Sequence, residues 1–327
     1  MGGTNYLRAG VICAFVLAAG HAATDPLPSW NAGEAKERIV GFVEEVTRPG
    51  TDTYVTPADR VAVFDNDGTL WAEQPIYFQF FFALDRFREM AKADPSILTS
   101  DVLQAAVDGD MEAVLAVGTE GILEIISITH SGVSVESFVQ DSRTWLDSAR
   151  HPETGKPFDA MIYQPMLELL RYLRDEGFTT YIVSGGGVHF LRAFAEEAYN
   201  IPPEQVIGSA SNASYRADGP AIVKERGVFF LDDKEGKPLA IDMRLGKRPI
   251  FAAGNSDGDF QMLEWTTAGE GSRFGMIVHH TDEEREWAYD RDSHIGHLKR
   301  GLDEGPERGW LIVDMANDWV RVWPGGE

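Results

Sequence analysis

Asp65, Asn66 and Asp67 stand directly after the apolar run Val61-Ala62-Val63-Phe64 and directly before Gly68. Two carboxylates this close repel one another once both are ionised, so they call for a cation or a shared proton. A hard divalent ion such as Mg²⁺ suits an all-oxygen pair of this kind. With the charge balanced, one carboxylate can attack an electrophile while the other carries protons. Four apolar residues are too few for a helix and predict a buried parallel strand. The acids then sit at a strand's C-terminal end, where open α/β sheets hold their ligands. Gly68 lets the chain turn there with positive φ, although a plain polar turn after a strand uses the same residues.

Other elements must bring partners to that edge. Thr179 to Val183 predicts a second strand, rich in β-branched and aromatic residues, that runs into Ser184-Gly185-Gly186-Gly187 and a helix from Val188 to Tyr199. A hydroxyl and open glycine amides in front of a helix dipole make a cradle for phosphate. A third strand end is the loop Gly254-Asn255-Ser256-Asp257-Gly258-Asp259, after a strand predicted over Pro249 to Ala253. Gln205 to Gly208 and Phe274 to Val278 predict further strands. Gly33 to Val46, Pro165 to Glu176 and Lys237 to Leu245 predict helices, and residues 209–233 a small β excursion. Strands alternating with helices imply an α/β fold with a doubly wound parallel sheet and right-handed crossovers. Between the first two strands the pattern turns helical over Ile76 to Met90, Val102 to Val107, Met111 to Val117, Gly121 to Ile128 and Val135 to Leu146. This is the pattern of a helical bundle inserted into another domain.

The run D-x-D-G-T after an apolar strand resembles the first motif of the haloacid-dehalogenase-like (HAD) hydrolase superfamily, whose core is Rossmann-like. The resemblance implies that Asp65 is a nucleophile and that Asp67 is the general acid/base, giving its carbonyl to Mg²⁺. Dehalogenases lack the second acid, so Asp67 argues for phosphate esters. Ser184 and the Gly185 amide match the second motif, which holds phosphoryl oxygens. The 254–259 loop resembles the fourth motif, with Asn255 where the first acid normally stands and Asp259 at the second. The metal candidates are therefore Asp65, Asp67, Asn255, Asp257 and Asp259, with less charge and weaker metal binding than two acids would give.

The third motif is a lysine. Lys247 precedes the fourth strand and so lies at the wrong end of the sheet, a strand's length of roughly 17 to 20 Å away. Lys237 opens the preceding antiparallel helix near the active edge and is chosen over Lys224 in the β excursion. Asn66, Ser184, Gly185 and Glu73 are the candidate substrate and phosphate contacts, with Tyr77 and Trp71 beside Glu73 also weighed. The helical insert is similar to the C1 cap of phosphoserine-phosphatase-like members. The expected division is a signal peptide over 1–22, a core over 23–71 and 159–327, and a cap over 72–158. The expected function is hydrolysis of a small phosphate monoester through an aspartyl-phosphate on Asp65. A phosphotransferase or mutase with the same intermediate, and a non-catalytic binding protein motivated by Asn255, are the alternatives. Fold-level analogy does not name the ester.

Composition narrows the partners. A formal charge of -23 over 327 residues repels nucleic acid and anionic membrane surfaces. Arg8 followed by the apolar stretch Ala9 to Gly20 predicts a secretory signal, too short to span a membrane, cut after Ala22. Cys13 has no small residue before it, so no lipid anchor is expected. As Cys13 is the only cysteine, the mature chain would have no disulfide, thiol nucleophile or zinc thiolate site. The expected location is periplasmic or secreted. His279 and His280 are adjacent in a predicted strand and so point to opposite faces.

Overall fold

A computed structural model describes residues 25–325 of the chain. The signal peptide expected over 1–22 lies outside the described residues. Seven strands form one sheet: β1 (Val61–Phe64), β2 (Thr179–Gly187), β3 (Val206–Arg216), β4 (Ala221–Phe230), β5 (Phe251–Gly254), β6 (Phe274–His279) and β7 (Leu311–Asp314). Their spatial order is β4-β3-β2-β1-β5-β6-β7, and every pair is parallel except the β3–β4 hairpin. From β1 the chain first builds outward through β2 and β3, then returns to the other side through β5, β6 and β7. The point where the order reverses lies beside β1, which is where a sheet of this kind opens a crevice.

The four-residue β1 is buried on both faces because its side chains alternate between two apolar layers. Ala62 and Phe64 join the layer that holds the helices Glu34–Thr47 and Gln164–Asp175. Val61 and Val63 join the opposite layer, under the helices Gly236–Leu245 and Phe260–Thr267. A third apolar cluster, separate from both, fills the bundle of Phe78–Ala93, Asp101–Asp108, Met111–Ala116 and Thr119–Thr129, whereas the next helix, Val135–Ser148, sends Phe138 and Leu146 into the first layer. Ser134 caps the last of these, accepting a hydrogen bond from the Ser137 amide. Within the Phe-rich run, Phe78 and Phe82 pack into the sheet's layer and Phe80 into the bundle's cluster.

Three sequence expectations change. The predicted brief third strand runs on for eleven residues as β3, because beyond Ser209 it leaves β2 and pairs with β4. The predicted helix over 188–199 is two short pieces, Val188–Leu191 and Ala195–Tyr199, separated by a tight turn. The last strand, β7, is not foreseen at all, since Leu311-Ile312-Val313-Asp314 is too short to stand out without its partner β6. No helix among the described residues is long and apolar enough to cross a membrane.

Candidate active site

Lys237 organises the site. It lies in the first turn of Gly236–Leu245, which runs antiparallel to the strands and so begins at their C-terminal edge. Its Nζ donates to Asp65 Oδ1 at 2.7 Å, to Asp259 Oδ1 at 2.5 Å and to the Val183 carbonyl at 2.9 Å, all of them buried. Burial alone would lower the lysine, but Asp259 and then Asp65 outweigh it and raise the ammonium above its ordinary range. Burial and the neighbouring Asp259 push Asp65 well above the carboxylate range, and Lys237 offsets part of this. Lys224, the rival lysine, bonds Ser211 and His189 instead. Lys247 bonds Asp59 and the Ala58 carbonyl before β1, at the opposite end of the sheet.

Asp67 Oδ1 accepts from the Trp71 indole at 2.8 Å, and Trp71 is itself stacked on Phe194. Burial raises the Asp67 carboxyl, which the indole bond only partly reverses. The register of β2 against β3 shifts just after Ser184, whose Oγ accepts from the Gly186 amide at 3.0 Å. A Cβ on Gly186 would lie 3.3 Å from Ser184 Oγ and 3.6 Å from Asp67 Oδ2, so the glycine turn passes directly between the two. The sequence missed a further participant, Gln79. Its Oε1 accepts from the Gly187 amide at 2.7 Å and its Nε2 donates to His130 Nε2 at 3.0 Å, joining the helical bundle to the phosphate cradle. The signal was a lone amide inside Phe78-Gln79-Phe80-Phe81-Phe82.

The 254–259 loop divides the labour among its three candidates. Asp259 Oδ2 accepts from the amides of Asn255 and Ser256 and from the Ser256 hydroxyl, while Oδ1 holds Lys237. Asp259, expected as a metal ligand, thus lines the cavity with both oxygens engaged by the lysine and the loop. Asp257 is the candidate that the structure corrects: its carboxylate accepts from the amides of Lys299, Arg300 and Gly301, and it does not line the cavity. Asn255 donates from Nδ2 to Glu73 Oε1 at 2.6 Å, and its Oδ1 accepts a longer bond of 3.2 Å from Thr69. A Cβ on Gly68 would come within 2.0 Å of Asn255 Nδ2, so this amide lies against the Asp67–Gly68 peptide and no side chain fits there. Gly68 also has φ of 73°, the left-handed region.

Glu73 accepts from the Tyr289 hydroxyl at 2.8 Å as well, and burial together with Asp67 raises it well above its ordinary range. Tyr289 comes from a segment with no sequence periodicity and was not foreseen. Asn66, expected to touch phosphate, is instead fully buried and does not line the cavity. Its Oδ1 accepts from Tyr199 and its carbonyl from the Thr69 and Leu70 amides, so it builds the turn. His280 likewise is structural, bonded to the Gly68 carbonyl and to Glu286.

A cavity of about 250 Å³ separates this edge from the bundle, lined at its floor by Asp65, Asp67, Ser184 and Lys237 and at its roof by Phe80 and Ile126. Among the described residues no three His, Cys, Asp or Glu side chains gather as a metal cage. The donors that fit Mg²⁺ are of mixed type: the Asp65 oxygen not taken by Lys237, the Asp67 carbonyl and the Asn255 amide oxygen. All three are hard oxygens, and water would complete the shell of such an ion. Six carboxylates at or around the cavity floor, Asp65, Asp67, Glu73, Asp232, Asp233 and Asp259, outnumber the two lysines beside them, Lys237 and Lys234. That imbalance suits an added cation.

Residues 62–264, which contain β1, β2 and the strand ends of this site, match the family model for haloacid dehalogenase-like hydrolases. The chain belongs to that family. It is a HAD hydrolase, with Asp67 as the second carboxylate after β1. Among solved structures, a conserved protein of unknown function from Anaerococcus prevotii DSM 20548 is similar at 17% identity and a TM-score of 0.54, over 79% of this chain and 89% of its own. A protein of unknown function from Bordetella pertussis Tohama I is similar at 17% identity and 0.51, over 78% and 98%. A phosphoserine phosphohydrolase-like protein from Francisella tularensis subsp. tularensis SCHU S4 follows at 17% and 0.38, over 76% and 98%. At these identities the first two likenesses speak for the HAD fold alone. No curated protein matches.

The bundle side of this HAD site carries a pH signature. His130 accepts from Gln79, so its Nδ1–H donates to Thr129 Oγ1 at 2.8 Å and the ring is neutral. Burial, then Lys224 and Arg86, hold it well below the ordinary imidazole value. An unfolded chain would take up a proton at about pH 6.5 that the fold refuses, so stability falls as pH drops below that value. Urea melts are expected to show wild type losing about 1.4 kcal/mol more than His130→Asn between about pH 7.5 and about pH 5.5. Equal losses would mean that the ring titrates freely.

Proposed function

We propose that this chain is an exported Mg²⁺-dependent phosphomonoesterase that works through an aspartyl-phosphate on Asp65. The observation that carries the proposal is the Asp65–Lys237–Asp259 bridge at the floor of a cavity shared with Asp67 and Ser184. When bound, Mg²⁺ would supply positive charge against the phosphoryl oxygens, held by Asp65, the Asp67 carbonyl and Asn255.

The chain's own groups do the rest. Lys237 and Asp259 fix one oxygen of Asp65 so that the carboxylate faces the cavity, and the Ser184 hydroxyl and glycine amides receive the phosphoryl oxygens. Asp65 attacks phosphorus as the bond to the leaving alcohol breaks. Asp67, kept protonated more readily by burial, passes its proton to the departing oxygen. It then accepts a proton from water, which attacks the aspartyl-phosphate, frees phosphate and restores Asp65. The bundle above excludes bulk water from these steps.

The test is a phosphate-release screen of the mature protein across choline phosphate, phospho-amino acids, sugar phosphates and nucleotides. Release in Mg²⁺ that stops in EDTA and returns with added metal is expected. Release without an organic acceptor separates a phosphatase from a mutase, and silence across the whole panel would sink the proposal. Export rests on residues 1–22 alone; N-terminal sequencing of the cell-envelope fraction is expected to begin at Ala23.

A further inference from the structure

Lys224 and Lys237 are the only lysines or arginines among the described residues that line the cavity, and the chemistry above uses only Lys237. Lys224 sits in β4 and is held against the bundle by its backbone. Its amide donates to the Val133 carbonyl at 2.9 Å, and its carbonyl accepts from the Gly132 amide at 2.8 Å. The residue is 4% exposed. Nζ donates to Ser211 Oγ at 3.0 Å and to His189 Nδ1 at 3.2 Å, and it lies 4.6 Å from the Phe138 ring centroid.

Every one of these partners is neutral. Burial, then Lys224 itself, brings His189 down to about 4, so its Nδ1 stays a lone-pair acceptor. Among the described residues no carboxylate approaches Lys224 Nζ within 4.0 Å. The adjacent Glu225 also borders the cavity, but its carboxylate accepts from Ser214 and Arg216 rather than from Lys224. Burial lowers Lys224 only to about 8, so the ammonium remains the major form at neutral pH. A buried cation without a counter-charge is costly, and here it borders a cavity whose opposite end is built for phosphate. The lining of the same cavity includes the apolar side chains of Phe80, Ile126, Val228 and Leu231.

We propose that Lys224 is a second anion subsite, so that the substrate is a phosphate monoester whose alcohol carries a distal anionic group on a partly apolar body. The distal group is a carboxylate or a second phosphoryl group, either of which pairs with an ammonium. The inference rests on the phosphatase proposal for the identity of the first site. A lysine that only braced the hairpin against the bundle would confer no preference for such a group.

The test is calorimetric titration of the full chain with phosphonates, which occupy a phosphate site without being turned over. Hexylphosphonate is compared with 6-phosphonohexanoate and hexane-1,6-bisphosphonate, and propylphosphonate with 3-phosphonopropionate and propane-1,3-bisphosphonate. An anionic-ended probe is expected to bind roughly tenfold or more tightly than its alkyl partner at one of the two lengths. Which ending gains more tells carboxylate from phosphoryl. Lys224→Met is expected to bring that ratio close to one, and Lys224→Arg to preserve most of it even where the Met variant folds poorly. No advantage in wild type at either length, no binding at all, or an advantage that survives Lys224→Met would overturn the subsite. Failure of the phosphatase proposal would show separately, as absent phosphate release from esters while the phosphonate ratios persist.

Discussion

Asp65→Asn is expected to lower kcat by a factor of about 10⁴ or more while the fold survives, because the amide keeps the shape but cannot attack phosphorus. The structure adds a thermodynamic side to this. Asp65 is raised well above its ordinary value by burial and by Asp259, so the fold disfavours its ionised form relative to water. A group whose folded pKa is raised withdraws stability as pH climbs past its unfolded value, which for an aspartate happens above about pH 4. At neutral pH in EDTA, the neutral variant should therefore melt at a temperature equal to or above that of wild type. Loss of activity with an unchanged or higher Tm would mark Asp65 as chemistry set against stability. A variant that retains turnover would remove Asp65 from the mechanism, and one that unfolds would make it a structural residue.

Lys237→Met is expected to damage both properties at once. The ammonium bridges two buried carboxylates 2.7 and 2.5 Å away, and methionine fills its volume without its charge. Removing one member of a buried charge network costs about 3–5 kcal/mol, since the others are left unpaired. Loss of the charge that faces the transferring phosphoryl group should reduce kcat/KM by about 10²–10³. The sign of the pH effect follows from the same geometry. With the lysine gone, the folded-state pKa of Asp65 rises further, so the variant gains stability as pH falls and that acid takes up a proton. Combining it with Asp65→Asn should recover part of the lost stability by removing one of the two stranded charges. Melts of the single and double variants across pH measure this directly. A single variant as stable as wild type would mean that the bridge contributes nothing to the fold.

The strand ends were legible because each is a local pattern. An apolar run that stops at Asp65, a β-branched run that stops at Ser184, and an apolar run that stops at Gly254 need no knowledge of the rest of the chain. Lys237 was legible for a related reason: an antiparallel helix that follows a strand must begin near the active edge, and simple lengths rule out Lys247. The alternation of elements likewise carries the doubly wound sheet. The hairpin's full length and β7 were not legible, because Ala210–Arg216 and Leu311–Asp314 become strands only by pairing with partners.

By itself, then, the sequence determined which segments carry the chemistry and at which end of the sheet they meet. Tertiary structure alone decided which side chain within each segment faces inward. Asp257 and Asp259 are two residues apart in one loop, yet backbone amides at 299–301 draw the first away and Lys237 draws the second in. Asn66 lies between two catalytic candidates but is turned to Tyr199, 133 residues on. Glu73 meets Tyr289, and Gln79 meets Gly187, across separations of 216 and 108 residues. A side chain's direction is set by the hydrogen bond that keeps its buried polar atoms from going unpaired, and for these residues that partner comes from a distant part of the chain.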